Sequence, residues 1–255
     1  MIYNPKDYWE DRLSSKFNLS GVGHLGFSGH YNKFLYKAKI RALKKVILSQ
    51  HIDIHSKTVC DIGCGTGFFV SFYQVHGVKD IVGVDITSIG IANLKRKYPQ
   101  YLFIKQDISS SLLVSIINRK FDILNAFDVL YHITDDKAFE AAIANFANMI
   151  QDNGFIFISD SFGSEIIHTA NHVKFRTKEI YKTILDKTGF IIIGIWPLYC
   201  LLNRPILGIG NSPTLRNIGI RLDNIFAPIY FVLDSVLLSP RRNNLGLMIA
   251  KKVKK

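Results

Sequence analysis

Val59-Cys60-Asp61-Ile62-Gly63-Cys64-Gly65-Thr66-Gly67-Phe68 decides how this chain is read, because a short apolar run leads straight into three alternating glycines. Glycine tolerates positive φ and lets a ligand approach backbone that any Cβ would shield. A helix starting near Gly67 aims its unpaired amides and the positive end of its dipole at the same loop. The ligand expected there is nucleotide-like and rich in hydrogen-bond acceptors.

Dinucleotide sites carry G-x-G-x-x-G, whereas here the third glycine comes one residue early and Asp61 precedes the first glycine by two positions. A second apolar run, Ile81-Val82-Gly83-Val84, ends in Asp85. An ionised carboxylate at that place can accept from both hydroxyls of a ribose, the task that the acid about 20 residues on performs in dinucleotide folds. A dehydrogenase therefore stays open on these residues alone.

D-x-G-x-G-x-G followed by Asp85 resembles the class I S-adenosylmethionine-dependent methyltransferases. The resemblance spans residues 57 to 196 and adds two stations. One is Asp107-Ile108 after the run Tyr101 to Gln106. The other is Phe121 to Phe127, which leads into Asp128-Val129-Leu130-Tyr131-His132-Ile133. It implies S-adenosylmethionine as cofactor, no metal, and cofactor contacts from Gly63, Gly65, Gly67, Asp85, Ile86, Asp107, Ile108 and Phe127. Asp107 is implied to accept from the adenine amino group, Asp61 to support the cofactor's amino group indirectly, and Trp9, beside Tyr8, to cover the site. The implied fold is α/β, a seven-stranded mostly parallel sheet flanked by helices, Rossmann-like, with an antiparallel last strand.

Residue patterns agree with that architecture. Strands alternate with helical segments from residue 57 onward, as in βαβ units. Helices are expected at 67–76, 87–97 and 135–150, with another capped by Thr177, and strands at 154–160, 190–196 and 245–253. We expect a cap or lid over 1–50 and a methyltransferase domain over 51–255, with an insertion at 197–244 between the last two strands. Tyr31 to Gln50 reads as a basic amphipathic helix with Tyr36, Ile40, Leu43 and Ile47 inward. The glycine- and histidine-rich stretch 21–31 ahead of it reads as a mobile cover over the cofactor cleft. Within the insertion, 222–238 reads as a helix capped by Asn224, with Pro228 in its first turn. That helix either packs on the core, lines a greasy acceptor site or touches a membrane peripherally.

The chain has 255 residues, 48% of them hydrophobic, and a net charge of +12. Such a balance favours acidic partners without choosing among nucleic acid, an anionic membrane face and phosphorylated metabolites. Two of the three cysteines lie in the glycine loop and not at framework spacing, which suggests a reducing, cytoplasmic setting. No stretch reaches the ~18 uninterrupted apolar residues of a spanning helix.

A hydroxyl acceptor gains from a base that removes its proton, and histidine titrates in the useful range. His132, just beyond the fourth strand where open α/β sheets bind ligands, is the first candidate, followed by His172, His24 and His30. Each also has an ordinary structural use, in packing, helix capping or loop polarity. The Asn/Asp-Pro-Pro-aromatic signature of nucleic-acid amine methylation is replaced here by Asn125-Ala126-Phe127-Asp128, and no stacking walls for a flipped base are identifiable. The reading is therefore O-methylation of a small lipophilic or sugar-linked acceptor, with nucleic acid unlikely. The alternatives are an RNA methyltransferase, which the six Lys and Arg residues from Arg241 to Lys255 favour, and a non-catalytic cofactor-binding or membrane-peripheral scaffold. Oligomeric state stays open.

Overall fold

The computed structural model describes residues 3–209, 212–239 and 244–254. Five parallel strands, β1 (Thr58–Ile62), β2 (Asp80–Asp85), β3 (Leu102–Lys105), β4 (Phe121–Ala126) and β5 (Ile150–Asp160), run in the order β3-β2-β1-β4-β5. A hairpin of β6 (Ile167–Ala170) and β7 (Val173–Phe175) follows outside the sheet. The sheet is completed by β8 (Phe190–Tyr199) on the edge and β9 (Leu245–Lys252), which is antiparallel to both β5 and β8. This is the expected seven-stranded, mostly parallel sheet. Its strand order reverses between β1 and β4, so a crevice opens at their carboxyl ends, where such folds bind ligands.

The helices are α1 (Pro5–Ser15), α2 (Leu19–Val22), α3 (Gly29–Ser49), α4 (Phe68–Val75), α5 (Ser88–Lys97), α6 (Leu113–Ile117), α7 (Asp136–Met149), α8 (Lys178–Lys187) and α9 (Pro213–Leu237). Alternate strand residues feed two cores, one on each face of the sheet. Val59, Ile81, Ile123 and Phe157 pack with α3 and α4, whereas Cys60, Val82, Leu124 and Ile156 pack with α7 and α8. Burial on both faces explains why these strands read as continuous apolar runs. Thr177 caps α8 through the Ile180 amide, as expected. β5 starts earlier than residue 154, because Ile150 pairs with Phe121 and Phe155 with Ile123, and the Asp152-Asn153-Gly154 turn is a bulge between those pairs.

Two expectations need correction. The buried face of α3 includes Tyr31, Leu35, Lys39 and Val46 beside Tyr36 and Leu43, which face inward as expected, while Ile40 and Ile47 are only partly buried, so the helix is rotated relative to the apolar spacing. A lysine on the inward face is what misleads the sequence reading. The stretch 21–31 runs from the end of α2 through non-helical residues 23–28 into α3. It joins α2 to α3 through a turn pinned by the fully buried Asn32, whose side chain accepts from the His24 amide at 2.7 Å and donates to the carbonyls of His24, Phe27 and Ser28. The helix of the insertion begins at Pro213 and not near Asn224, so Pro228 lies in its interior. Pro213 in the first turn is the true start signal, and the apolar spacing runs on from it. α9 packs on the core through Ala227 and Tyr230, with Ile220 and Phe231 partly buried against it, but its buried positions also include Gly219, Asp223 and Asp234 and most of its apolar residues stay outside.

Candidate active site

The glycine loop closes over the ends of β1 and β2. Gly63, Gly65 and Gly67 all have positive φ, at 65°, 48° and 77°. A Cβ on Gly63 would collide with the Val129 side chain. Gly67 serves another purpose: a Cβ there would lie 2.5 Å from Leu94, so this glycine brings α4 and α5 together. It does not line the cavity beside the loop, unlike Gly63 and Gly65.

That cavity, of about 290 Å³, is walled by Gly63, Gly65, Asp85, Ile86, Asp107, Ile108 and Phe127, with Trp9 on the cap side. Asp85 accepts from the Gly65 amide at 2.8 Å with one oxygen and from the Thr87 amide and hydroxyl with the other. Burial raises its pKa, and the three donors pull it back. The oxygen that accepts from Gly65 retains a lone pair for a further donor, while the Thr87 amide and hydroxyl occupy both lone pairs of the other. Asp107 spends one oxygen on the amide and hydroxyl of Ser109 and leaves the other without a hydrogen bond. Phe127 is held by stacking on Phe69, with ring centroids 4.3 Å apart.

Asp61 sits beneath the loop, off the cavity wall. Asn125 donates to one of its oxygens at 2.7 Å, and the Tyr73 hydroxyl in turn donates to Asn125. The other carboxylate oxygen is buried without a partner. Burial pushes the pKa of Asp61 up to about 7, against the hydrogen bond from Asn125 and with help from the Asp85 charge.

α1 is fastened over this cavity by Glu10, whose two carboxylate oxygens accept from the Ser88 and Ile89 amides at 2.6 and 3.0 Å. Those amides belong to the start of α5, where a carboxylate is favoured by unpaired N–H groups and the helix dipole. Trp9 then meets the His132 ring edge-on at 4.9 Å.

A second cavity, of about 420 Å³, lies on the other side of Trp9 and His132. Val22 and Asp128 also face both spaces. His24, His172, Tyr131 and Tyr199 line the second cavity, so three of the four candidate histidines meet there, whereas His30 is exposed at the start of α3 and lines neither cavity. Asp128 adopts a left-handed conformation at φ 58° and is bonded to Ser159 through both its amide and its carboxylate. It also pairs with Lys39 of α3. Burial works to raise its pKa, but Lys39 and Ser159 outweigh that and hold the carboxylate ionised.

His132 places Nδ1 2.8 Å from the His172 carbonyl, so Nδ1 carries the proton and Nε2 is the acceptor. Burial lowers its pKa to about 4 despite that hydrogen bond, so the ring is neutral at physiological pH. His172 lies in the β6–β7 turn and caps no helix. Its Nε2 is 3.1 Å from the Tyr8 hydroxyl, which also accepts from Arg12. His24 accepts the Gly26 amide on Nδ1. Desolvation first, then the Arg12 charge, lowers the pKa of both His172 and His24. Arg12 spans the group, donating also to the Gly23 carbonyl at 2.8 Å, and among the described residues it has no carboxylate partner.

Comparison with known proteins decides the family. A family described as a methyltransferase domain matches residues 31–193. The chain belongs to that family. It is a class I methyltransferase, as its glycine loop implied. Ubiquinone biosynthesis O-methyltransferase of Paraburkholderia phymatum is 23% identical over 185 residues, covering 69% of this chain and 78% of that protein. A probable mRNA-capping enzyme of Acanthamoeba polyphaga mimivirus is 25% identical over 254 residues, covering 84% of this chain. This methyltransferase spans only 21% of the capping enzyme's own length, and about a third of that of two tRNA U34 carboxymethyltransferases. The structure of magnesium protoporphyrin IX methyltransferase from Synechocystis PCC 6803 with bound SAM superposes at a TM-score of 0.60 with 16% identity, over 98% of each chain, and so shares the fold.

The sequence reading singled out neither Lys39 nor Arg12 as a wall residue of this methyltransferase. Lys39 left a signal, since it falls four residues after Leu35 and four before Leu43 on one helix face, where an unpaired charge would be costly. Arg12 left none, because its neighbours are carbonyls of another segment.

Proposed function

We propose that this methyltransferase moves the methyl group of S-adenosylmethionine from the first cavity to a hydroxyl of a small molecule held in the second, with His132 as general base. The observation that carries the reading is the shared wall: a neutral imidazole with a free Nε2 stands between the two spaces. When bound, the cofactor supplies a methyl group made electrophilic by its sulfonium.

The chain's own residues have separable tasks. Gly63 and Gly65 let the backbone approach the cofactor, and Asp85 accepts from its ribose hydroxyls. Asp107 offers its free oxygen to the adenine amino group, between the apolar walls of Ile86 and Ile108. The unpartnered oxygen of Asp61 fits a buried negative charge under the cofactor's amino group. Trp9 and α1 exclude water, which strengthens every charge interaction inside. His132 takes the hydroxyl proton on Nε2 as the oxygen becomes nucleophilic, and the Arg12 charge favours the developing negative oxygen. His172 positions the base through its carbonyl, and His24 lines the acceptor space.

Radiolabelled S-adenosylmethionine incubated with the protein and a fractionated small-molecule extract tests this directly. A labelled methyl ether isolated from the extract is the expected product. Label appearing in RNA, with binding that weakens steeply as salt rises, would favour the second reading, which the +12 charge and the capping-enzyme relative support. Of the tail residues behind that reading, Arg241, Arg242 and Lys255 lie outside the described residues. The absence of any labelled product would leave only cofactor binding without turnover.

A further inference from the structure

α9 meets the core through Ala227 and Tyr230 and leaves most of its apolar residues outside. Its two acids face the protein: Asp223 accepts from the amides of Ile206, Leu207 and Gly208 and from the Tyr230 hydroxyl, and Asp234 from those of Leu201 and Leu202. Its outer face is a stripe of Leu215, Ile218, Leu222, Ile225, Ile229, Val232 and Val236 at alternating three- and four-residue spacing, each between 39% and 81% exposed. Phe226 and Leu233 widen the stripe, and Leu207 and Ile209 of the preceding loop are exposed as well. A patch of this extent on a soluble surface marks a contact site.

We propose that this face lies in the plane of an anionic lipid surface. Charge selects the occupant. The only carboxylates of α9 are the two buried ones, while Arg216 and Arg221 are exposed on it. α3, which packs against α9, contains six Lys and Arg residues and no acid, and Lys33, Lys37, Lys44 and Lys45 are exposed. Hydrocarbon flanked by cations, with no exposed carboxylate on either helix, is the composition that binds anionic headgroups and shallow acyl chains. A second copy of the chain would bring cationic surface against cationic surface with no acid on these helices to pair. Among the described residues no helix is long and apolar enough to cross a membrane, so α9, ~37 Å long at 1.5 Å per residue, lies along the surface.

The face adjoins the acceptor cavity. Ser28, in the turn that covers it, donates its amide to Asn224 of α9 at 2.8 Å, and Leu25 of the same turn lines the cavity while remaining 65% exposed. Lipid contact therefore brings the cavity's cover to the bilayer.

The test is sedimentation of the full chain with vesicles of phosphatidylcholine alone and of phosphatidylcholine mixed with phosphatidylglycerol. Binding to the mixed vesicles, weakened by salt, is expected. Ile225→Glu combined with Ile229→Glu should lower partitioning about tenfold or more while circular dichroism and S-adenosylhomocysteine affinity match the parent. Arg216→Gln with Arg221→Gln should reduce the preference for the anionic vesicles. Failure to sediment with either vesicle overturns the proposal, as does equal binding to both. So does a dimer, seen by analytical ultracentrifugation, that the isoleucine variant breaks. Since vesicle binding is read without turnover, its failure leaves the methyl-transfer reading standing, and the reverse also holds.

Discussion

The His132 ring lies parallel to that of His172, at 6° with centroids 5.6 Å apart, and donates Nδ1–H to the His172 backbone carbonyl. A carbonyl can only accept, so this one bond fixes the imidazole tautomer and leaves Nε2 as an acceptor in the wall between the cavities. The bond also ties the β6–β7 hairpin to the segment after β4, so the orientation of the His132 ring depends on a turn far from it in sequence.

With its pKa depressed to about 4, His132 is deprotonated across the neutral range. Methyl transfer should therefore be flat from about pH 6 to 8 in the His132 contribution and fall on acidification toward that value. His132→Asn should lower kcat by ~10²- to 10⁴-fold, the usual range for general bases, with S-adenosylhomocysteine affinity little changed. Stability follows the same group. The unfolded chain takes up the proton near pH 6.5 and the native chain resists it to about 4, so the fold loses stability as pH falls through that window. Thermal unfolding of His132→Asn should lack this component.

Asp61 works in the opposite sense. Its native pKa near 7 lies above the unfolded value of 3.8, so the free protein holds an extra proton there and loses stability as pH rises from about 4 to about 7. Asp160, also raised to about 7 by burial, adds to that trend, and the difference between parent and Asp61→Asn isolates Asp61. Calorimetry should show S-adenosylhomocysteine binding more tightly as pH rises through about 7 in the parent, because an ionised carboxylate favours the ligand's ammonium. Asp61→Asn should flatten that dependence while raising the melting temperature of the free protein at pH 8.

The buried Lys39–Asp128 pair should be costly to break from one side. Lys39→Met leaves a largely buried carboxylate with only Ser159 as partner, and a loss of about 3 to 5 kcal/mol is expected in urea unfolding. Lys39→Met with Asp128→Asn removes both charges and should recover part of the loss. A double variant no more stable than the single one would contradict the pairing argument.

Much of this molecule was legible from short-range patterns. The strands, the glycine loop, Asp85 and the Thr177 cap each follow from a few neighbouring residues, and the antiparallel last strand from the resemblance those residues support. What escaped depends on long-range contacts. The rotation of α3 was hidden because its inward face includes Lys39, whose partner is 89 residues away. α9 turns two acids inward because Asp223 and Asp234 satisfy loop amides that no helical spacing reveals. Arg12 reaches the second cavity because Glu10 docks α1 on α5. The glycine loop itself held one surprise, since Gly67 serves helix packing and not the cavity wall.

Titration of the protein with S-adenosylhomocysteine by isothermal calorimetry, beside Asp85→Ala and Asp85→Asn, bears most directly on the central claim that the loop after β1 holds an adenosyl cofactor. One site per chain is expected, weakened by ~1 to 3 kcal/mol in Asp85→Ala, the cost of leaving buried donors unpaired. No heat of binding, an affinity indifferent to both substitutions, or displacement of the ligand by a nicotinamide dinucleotide would contradict it.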